Sequence, residues 1–346
     1  MTTFADRLVA AWYAPRLEPL AAALVPLAVV YAGAVAARRS LYRLGLLRTS
    51  RVRAPVVVVG NLTAGGSGKT PLAIAIAEAL ASRGWRPGYV SRGYGRRGDA
   101  PRLVAPDDDP DEVGDEPLLL AATGLPVAVG RRRARAAALL LEAEPSCNVV
   151  VADDGLQHYA LARDVEIAAI DEARGFGNGW MLPAGPLREP HSRLDEVDAV
   201  VRLVPADPWR ATGNPRETLT AHEPVRWRNV ADPSIAHAPG AMRPASAWAI
   251  AGTAHPARFF DLVRALGVEA RTRAFPDHHR YAAGDLALPD ADAILMTMKD
   301  AVKCARYADR RCWALEIRAR IDPALVDRIE EKLSWTPNCS RSSSAR

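Results

Sequence analysis

The chain has 346 residues, 49% hydrophobic and 25% charged, with a formal net charge of +5, a length and apolar content that exclude a disordered chain and suit two domains with cores of their own. Its four cysteines (Cys147, Cys304, Cys312 and Cys339) share no metal-ligand spacing and are too few to staple the chain, which fits a reducing cytoplasm. The positive charge is almost wholly arginine, because Lys69, Lys299, Lys303 and Lys332 are the only lysines; with no zinc finger, RNA-binding motif or aromatic-interleaved basic stripe, no nucleic acid is expected, and acidic phospholipid or a phosphorylated substrate suits the charge better.

Residues 20–37, LAAALVPLAVVYAGAVAA, carry no charge and as one helix would run roughly 27 Å, close to the hydrocarbon thickness of a bilayer. Arg38, Arg39, Arg43, Arg48, Arg51 and Arg53 follow, whereas the stretch before mixes Asp6 and Glu18 with Arg7 and Arg16. The positive-inside rule then places everything after residue 38 in the cytoplasm. The expectation is an N-terminal membrane helix with a basic flank over residues 1–50. Three other readings stay open: a cleaved signal peptide, a buried soluble helix, since the run is alanine-rich and interrupted by Pro26, and a helix lying in the membrane interface.

From residue 55 apolar β-type runs alternate with helical ones. Strands are expected at 55–60, 86–91, 125–130, 147–154, 165–171 and 198–204, and helices at 69–83, 114–122 and 131–143. Consecutive strands this apolar are buried on both faces, hence an α/β fold with a mostly parallel sheet. Proline-rich sequence at 205–244 breaks the rhythm, which resumes with strands at 245–252, 291–298 and 312–319 and a helix at 256–266. The expected organisation is a P-loop core domain at 51–204, a connector at 205–244, a second, smaller α/β domain at 245–333, and a disordered tail at 334–346.

The run VVVVGNLTAGGSGKTP reads as a strand, a glycine-rich turn and a helix start. Backbone amides of such a turn, opening onto the positive end of a helix, cradle phosphates. Thr63, Ala64, Gly65, Gly66, Ser67 and Gly68 form the expected cradle, Lys69 would reach the β- and γ-phosphates of a nucleotide, and the Thr70 hydroxyl would sit on Mg²⁺. Thr63 stands where the first glycine of the general pattern belongs.

VVVADDGLQH ends an apolar strand in two carboxylates, Asp153 and Asp154, where ligands of parallel sheets bind, and adjacent carboxylates favour a cation beside them. Gln157 and His158 follow, open between a metal-water contact, a substrate contact and a structural role. In VGDEP, Asp115 and Glu116 stand at a helix start, where an N-cap and a functional role are equally open. FPDHHRY, with adjacent His278 and His279, suggests proton transfer or metal binding against an exposed polar loop. GNGWMLPAGPLREP, with Arg188, reads as an ordered loop near the site, and Lys299, Asp300 and Lys303 as a phosphate contact from the second domain. Of Arg131, Arg132, Arg133 and Arg135, one or two are candidates to touch phosphate.

In this order, GNLTAGGSGKTP, SRGYGRR, GDEP, DDGLQH, GNGWMLPAGPLREP, AGTAHPARFF, FPDHHRY and MTMKDAVKC behind an apolar helix resemble the tetraacyldisaccharide 4'-kinase (lipid A 4'-kinase) family over about residues 11–330. The family loop reads G-N-x-[TS]-x-G-G-x-G-K-T-P, so Thr63 is its ordinary form. The resemblance implies an ATP- and Mg²⁺-dependent kinase at the cytoplasmic face of an inner membrane. It would phosphorylate the 4'-hydroxyl of an acylated glucosamine disaccharide 1-phosphate to give lipid IVA, with no obligate protein partner. It also implies that Lys69 and Thr70 are the Walker residues, that Asp115 and His278 activate the hydroxyl, and that Asp153, Asp154, Glu116 and Gln157 make the acidic and metal-binding set. Where the family usually has T-E-K-D this chain has Met298 in place of the glutamate. The competing expectation is a membrane-associated regulatory ATPase, whose loop carries an extra lysine where this chain has Ala64.

Overall fold

The computed structural model describes residues 4–66, 68–205 and 212–334. Ser67, part of the connector (206–211) and nearly all of the expected tail (335–346) lie outside the described residues.

Three helices open the chain: α1 (Phe4–Trp12), α2 (Pro19–Ala23) and α3 (Val25–Arg43). The expected single membrane helix is not formed. Residues 20–37 are divided between α2 and α3 at Leu24, and Pro26 lies in the first turn of α3, where its missing N–H costs nothing. The uncharged part of α3, 25–37, spans only about 20 Å at ~1.5 Å per residue. Among the described residues no helix is long and apolar enough to cross a membrane.

The first sheet begins with β1 (Val56–Gly60), α4 (Lys69–Ser82), β2 (Pro87–Ser91), β3 (Arg102–Leu103), α5 (Pro110–Val113) and α6 (Asp115–Ala121). It continues with β4 (Val127–Val129), α7 (Arg133–Ala143), β5 (Val149–Asp153), β6 (Val165–Asp171), β7 (Ala199–Leu203) and β8 (Glu217–Thr220). Its strand order is β3-β4-β2-β5-β1-β6-β7-β8, parallel except at the β3 edge. Valines of β1 alternate between two cores, as the period-2 pleat requires: Val57 and Val59 meet Leu72, Ile76 and Leu80 of α4, while Val56 and Val58 share a cluster with Ala136 and Leu140 of α7. Helices thus cover both faces, and β1 lies between β5 and β6.

The second sheet takes β9 (His222–Asn229), β10 (Ala236–His237), β11 (Ala247–Ala251), β12 (Arg271–Ala274), β13 (Ala293–Thr297) and β14 (Cys312–Ala319) in the order β10-β9-β14-β13-β11-β12. Helix α8 (Pro256–Ala265) packs on one face through Phe259 and Val263, and α9 (Met298–Cys304) on the other through Ala301 and Cys304. The connector contributes to both sheets: β8 extends the first, and β9 pairs antiparallel with β14 of the second. The last helix, α10 (Pro323–Ser334), follows β14 of the second sheet, yet Leu325, Val326, Ile329 and Leu333 pack into the first sheet's core beside α4. Its apolar residues recur on one face, and the first sheet offers the uncovered apolar surface that face needs.

Candidate functional site

Because β1 and β5 are parallel neighbours, in register Val59 to Asp153, the loop leaving β1 and the carboxylates ending β5 emerge side by side. Gly68 leads into α4 with φ +75°, and a Cβ there would lie 3.0 Å from Leu203 and 3.1 Å from His222 Nε2, so only glycine fits the turn. Lys69 and Thr70 follow, both buried at the start of α4.

Thr70 Oγ1 donates to Asp153 Oδ2 at 3.0 Å. The other Asp153 oxygen is buried without a hydrogen-bond partner. Burial first, then Glu116 and Asp154, push the Asp153 carboxyl up to about 7, the behaviour of a carboxylate in want of a cation. Asp154, adjacent, lies 3.6 Å from Lys69 Nζ and accepts from Arg188 at 3.0 and 3.1 Å. Burial works against its charge, but Lys69 and Arg188 outweigh burial and hold it well below the carboxylate range. A threonine hydroxyl beside an orphaned carboxylate oxygen fits magnesium, which takes few protein ligands and keeps waters and phosphate oxygens. Among the described residues there is no group of three or more His, Cys, Asp or Glu side chains poised for a metal.

Asp115 opens α6 and is almost wholly buried. Its Oδ1 accepts from the Glu116 amide at 2.9 Å, and Oδ2 lies 3.0 Å from His278 Nδ1, 163 residues away in the second domain. Burial would raise its pKa, but the His278 hydrogen bond and Lys299 outweigh it and hold the carboxyl at about 2. Lys299 Nζ stands 3.7 Å from Asp115, 3.7 Å from Glu116 and 3.3 Å from Asp277. Around Lys299, expected to contact phosphate, stands a carboxylate cluster that raises its pKa against the effect of burial.

Among the described residues the non-glycine residues with positive φ are Asp154 (50°) and His278 (58°). Such strain persists only where surrounding structure over-determines it, and here it falls on two of the residues singled out by sequence. The Tyr94 ring, from the SRGYG turn, packs against His278 with centroids 4.9 Å apart.

Gln157 is not bonded to the Thr70–Asp153 pair: its Nε2 donates to Asn61 O and to Glu189 Oε2, both at 3.0 Å, and its Oε1 is buried and unpartnered. Between it and α3 lies a cavity of about 190 Å³ whose lining includes Tyr31, Arg38, Arg92, Gln157 and Arg188. His158 is structural: its Nε2 accepts from the Arg133 amide at 3.2 Å, and burial, then Arg133 and Arg163, lower its pKa to about 3. His279 likewise turns away and pairs with Asp285 at 3.0 Å.

Sequence reasoning left several residues out of the site set. Arg133 alone of the arginine run is buried; its Nε has no partner, and it lies within electrostatic range of Asp154, Asp153 and Glu116. Asn61, buried at the end of β1, bonds Arg188 through its side chain. Asp171, at the end of β6, accepts from Arg258 of α8 at 2.6 and 2.7 Å across the two domains. The strand-end rule that found Asp153 would have found Asp171; nothing in the sequence separates Arg133 from its neighbours.

A parallel sheet with a glycine-rich loop after its central strand, a lysine and threonine at the helix start and a carboxylate on the adjoining strand define a P-loop nucleotide-binding protein. Its relatives narrow that class. The profile of the tetraacyldisaccharide-1-P 4'-kinase family matches residues 20–334. The chain is 48% identical over 319 residues to the tetraacyldisaccharide 4'-kinase of Dechloromonas aromatica, covering 92% of this chain and 94% of that one. It is 49% identical over 336 residues to that of Alkalilimnicola ehrlichii, covering 95% and 97%. Its fold matches the crystal structure of "apo" form LpxK from Aquifex aeolicus in complex with ATP with a TM-score of 0.76 at 27% identity, over 91% of this chain and 99% of that one. The chain belongs to the tetraacyldisaccharide-1-P 4'-kinase family.

Proposed function

We propose that the protein transfers the γ-phosphoryl group of ATP to the 4'-hydroxyl of an acylated glucosamine disaccharide 1-phosphate, giving lipid IVA in lipid A biosynthesis. The observation that carries the reading is the Asp115–His278 contact, a buried carboxylate and an imidazole joined across two domains beside the Lys69, Thr70 and Asp153 cluster.

In this reading the acceptor oxygen attacks the γ-phosphorus, the bond to the β–γ bridging oxygen breaks, and ADP leaves. Asp115 takes the hydroxyl proton as the new bond forms, while His278 orients the carboxylate and shares the proton. Lys69 and the buried Arg133 face the charge that develops on the transferred group. Thr70 and Asp153 would hold a Mg²⁺ ion, which when bound would neutralise charge on the phosphate oxygens. Asp154, tied to Lys69 and Arg188, orients the loop, and Glu116 adds charge that keeps a cation at the cluster. His278 and Lys299 come from the second domain, so closure between domains keeps ATP from water until acceptor is present.

The cavity beside Gln157 and α3, lined by Arg38, Arg39, Arg92 and Arg188 together with Glu189, supports an anionic sugar as its occupant. Leu44 (73% exposed), Val30 (71%) and Leu46 (69%) leave an apolar surface on α3 and the turn after it. That surface suits a helix lying in the cytoplasmic interface of the inner membrane rather than crossing it.

The test is transfer of labelled γ-phosphate from ATP to tetraacyldisaccharide 1-phosphate in detergent micelles, wild type beside Asp115→Ala. The reading expects transfer by the wild type and a fall of about 10³-fold in the variant. A folded, ATP-binding wild type that labels no lipid contradicts it.

A further inference from the structure

We propose that Asp300 is a positioning residue for phosphoryl transfer, its carboxylate fixing the three segments through which the second domain reaches the first; the proposal rests on the kinase reading above. Asp300 lies in the first turn of α9 and is wholly buried. Its Oδ1 accepts from the Gly252 amide at 3.1 Å and faces Lys303 Nζ at 3.1 Å. Its Oδ2 accepts from Thr297 Oγ1 at 2.7 Å, and the Asp300 amide donates back to that hydroxyl at 3.1 Å.

Three segments that pass this carboxylate or the Gly252 it holds lead to the first sheet. Gly252 opens the loop to Ala254, whose methyl lies 3.7 Å from where a Cβ on Gly66 of the phosphate loop would stand, and then to Arg258, which holds Asp171. Lys299, the residue before Asp300, reaches Asp115 and Glu116. The third segment is 275–281, which carries His278. It meets the same junction at both ends, because a Cβ on Gly252 would stand 3.2 Å from Pro276 O and 3.0 Å from the Tyr281 hydroxyl, as well as 3.2 Å from Asp300 Oδ1. Gly252 is the point where the three segments converge, and Asp300 is the charged group that holds it there.

Lys303 is buried with Asp300, its ammonium 5.1 Å from the centroid of the Tyr281 ring. A buried ion pair of this kind adds little net stability over an apolar pair of the same size. What it adds is direction: both oxygens of Asp300 are engaged, and each hydrogen bond fixes an angle for the segment it holds. Asp300 touches neither nucleotide loop nor acceptor cavity, so its effect passes through His278 and Lys299.

The variants remove the anchor without orphaning a charge. In full-length protein, D300A/K303M deletes the acceptor for Gly252 and both charges, whereas D300N/K303M keeps an amide oxygen in its place. D300A/K303M is expected to lower kcat about 100-fold with KM for ATP nearly unchanged, and adding His278→Ala is expected to lower it little further. D300N/K303M is expected to recover most of the turnover. Gly252→Ala, which crowds the junction and leaves the ion pair in place, is expected to lose kcat in the same way. The imidazole ¹⁵N spectrum of His278, recorded without substrates, is expected to change in D300A/K303M and to stay native-like in D300N/K303M. Native kcat in folded D300A/K303M, losses additive with His278→Ala, or an asparagine variant as impaired as the alanine one each overturn the proposal. Wild type that transfers no phosphate overturns the kinase reading instead, and the His278 spectrum still decides the role of Asp300.

Discussion

The two halves of the site are built differently. The phosphate half, Lys69 and Thr70 with Asp153 and Asp154, comes from adjacent parallel strands of one sheet, so its geometry follows from the register of β1 against β5. The half proposed for proton transfer joins Asp115 at the start of α6 to His278 and Lys299 from around the second sheet, through side-chain contacts. A half set by backbone register tolerates side-chain loss without losing its shape, whereas a half set by side chains across domains loses its geometry with them.

Lys69→Ala breaks the register-built half where it matters most. Its cation faces Asp154 and is proposed to reach the phosphates, so kcat/KM is expected to fall by about 10³ with nucleotide binding weakened alongside, as seen in steady-state transfer and equilibrium ATP binding. The fold should stay intact, since the β1–α4 core does not include that side chain; a variant that unfolds would show that Lys69 also stabilises the loop.

A smaller effect is expected at the Asp171–Arg258 pair, which ties α8 of the second sheet to the end of β6 in the first. Arg258 is partly exposed, so solvent screens the pair and the loss on Arg258→Ala is expected to be about 5- to 10-fold in kcat, without change in ATP affinity. Asp171 stays buried in that variant, and a modest drop in melting temperature should accompany the loss. Unchanged turnover would remove this pair from the closure.

What was legible in the sequence follows the same division. Strands β6 and β14 are placed to the residue, because each is an apolar-rich run with charged residues directly before and after it. Edge strand β12, Arg-Thr-Arg-Ala, was missed because it is exposed throughout and is drawn into the sheet only by pairing with β11. The face of α10 is periodic, but nothing local says it belongs to the first sheet. In the N-terminal run hydropathy was read correctly and continuity was not, since the break at Leu24 comes with docking contacts such as Tyr31 to Arg188 O and Arg39 to Glu196. The site divides likewise: the loop and strand-end carboxylates are local patterns, the Asp115–His278 pairing came from resemblance, and the burial of Arg133 came from neither.

The smallest effect expected concerns pH. His158, His222 and His255 are lowered to about 3, 4 and 4, by burial first and then by nearby arginines, from an ordinary 6.5. They stay neutral in the folded chain while the unfolded chain protonates below 6.5, so the stability they contribute is complete above pH 6.5 and is lost as pH falls toward 4. Asp115, lowered to about 2, keeps its contribution down to far more acid conditions. Thermal melting should therefore fall by a few degrees between pH 7 and 5, and His222→Gln should flatten that slope. An unchanged slope would mean that these imidazoles do not set acid stability.

The most direct test of a site completed across two domains is His278→Ala, with ATP affinity measured at equilibrium beside kcat for lipid phosphorylation. The account predicts wild-type ATP affinity and a kcat lower by about 10²-fold or more, because the phosphate half is left whole while the proton-transfer half is broken. Turnover unchanged by the substitution, or lost only in proportion to ATP binding, would contradict it.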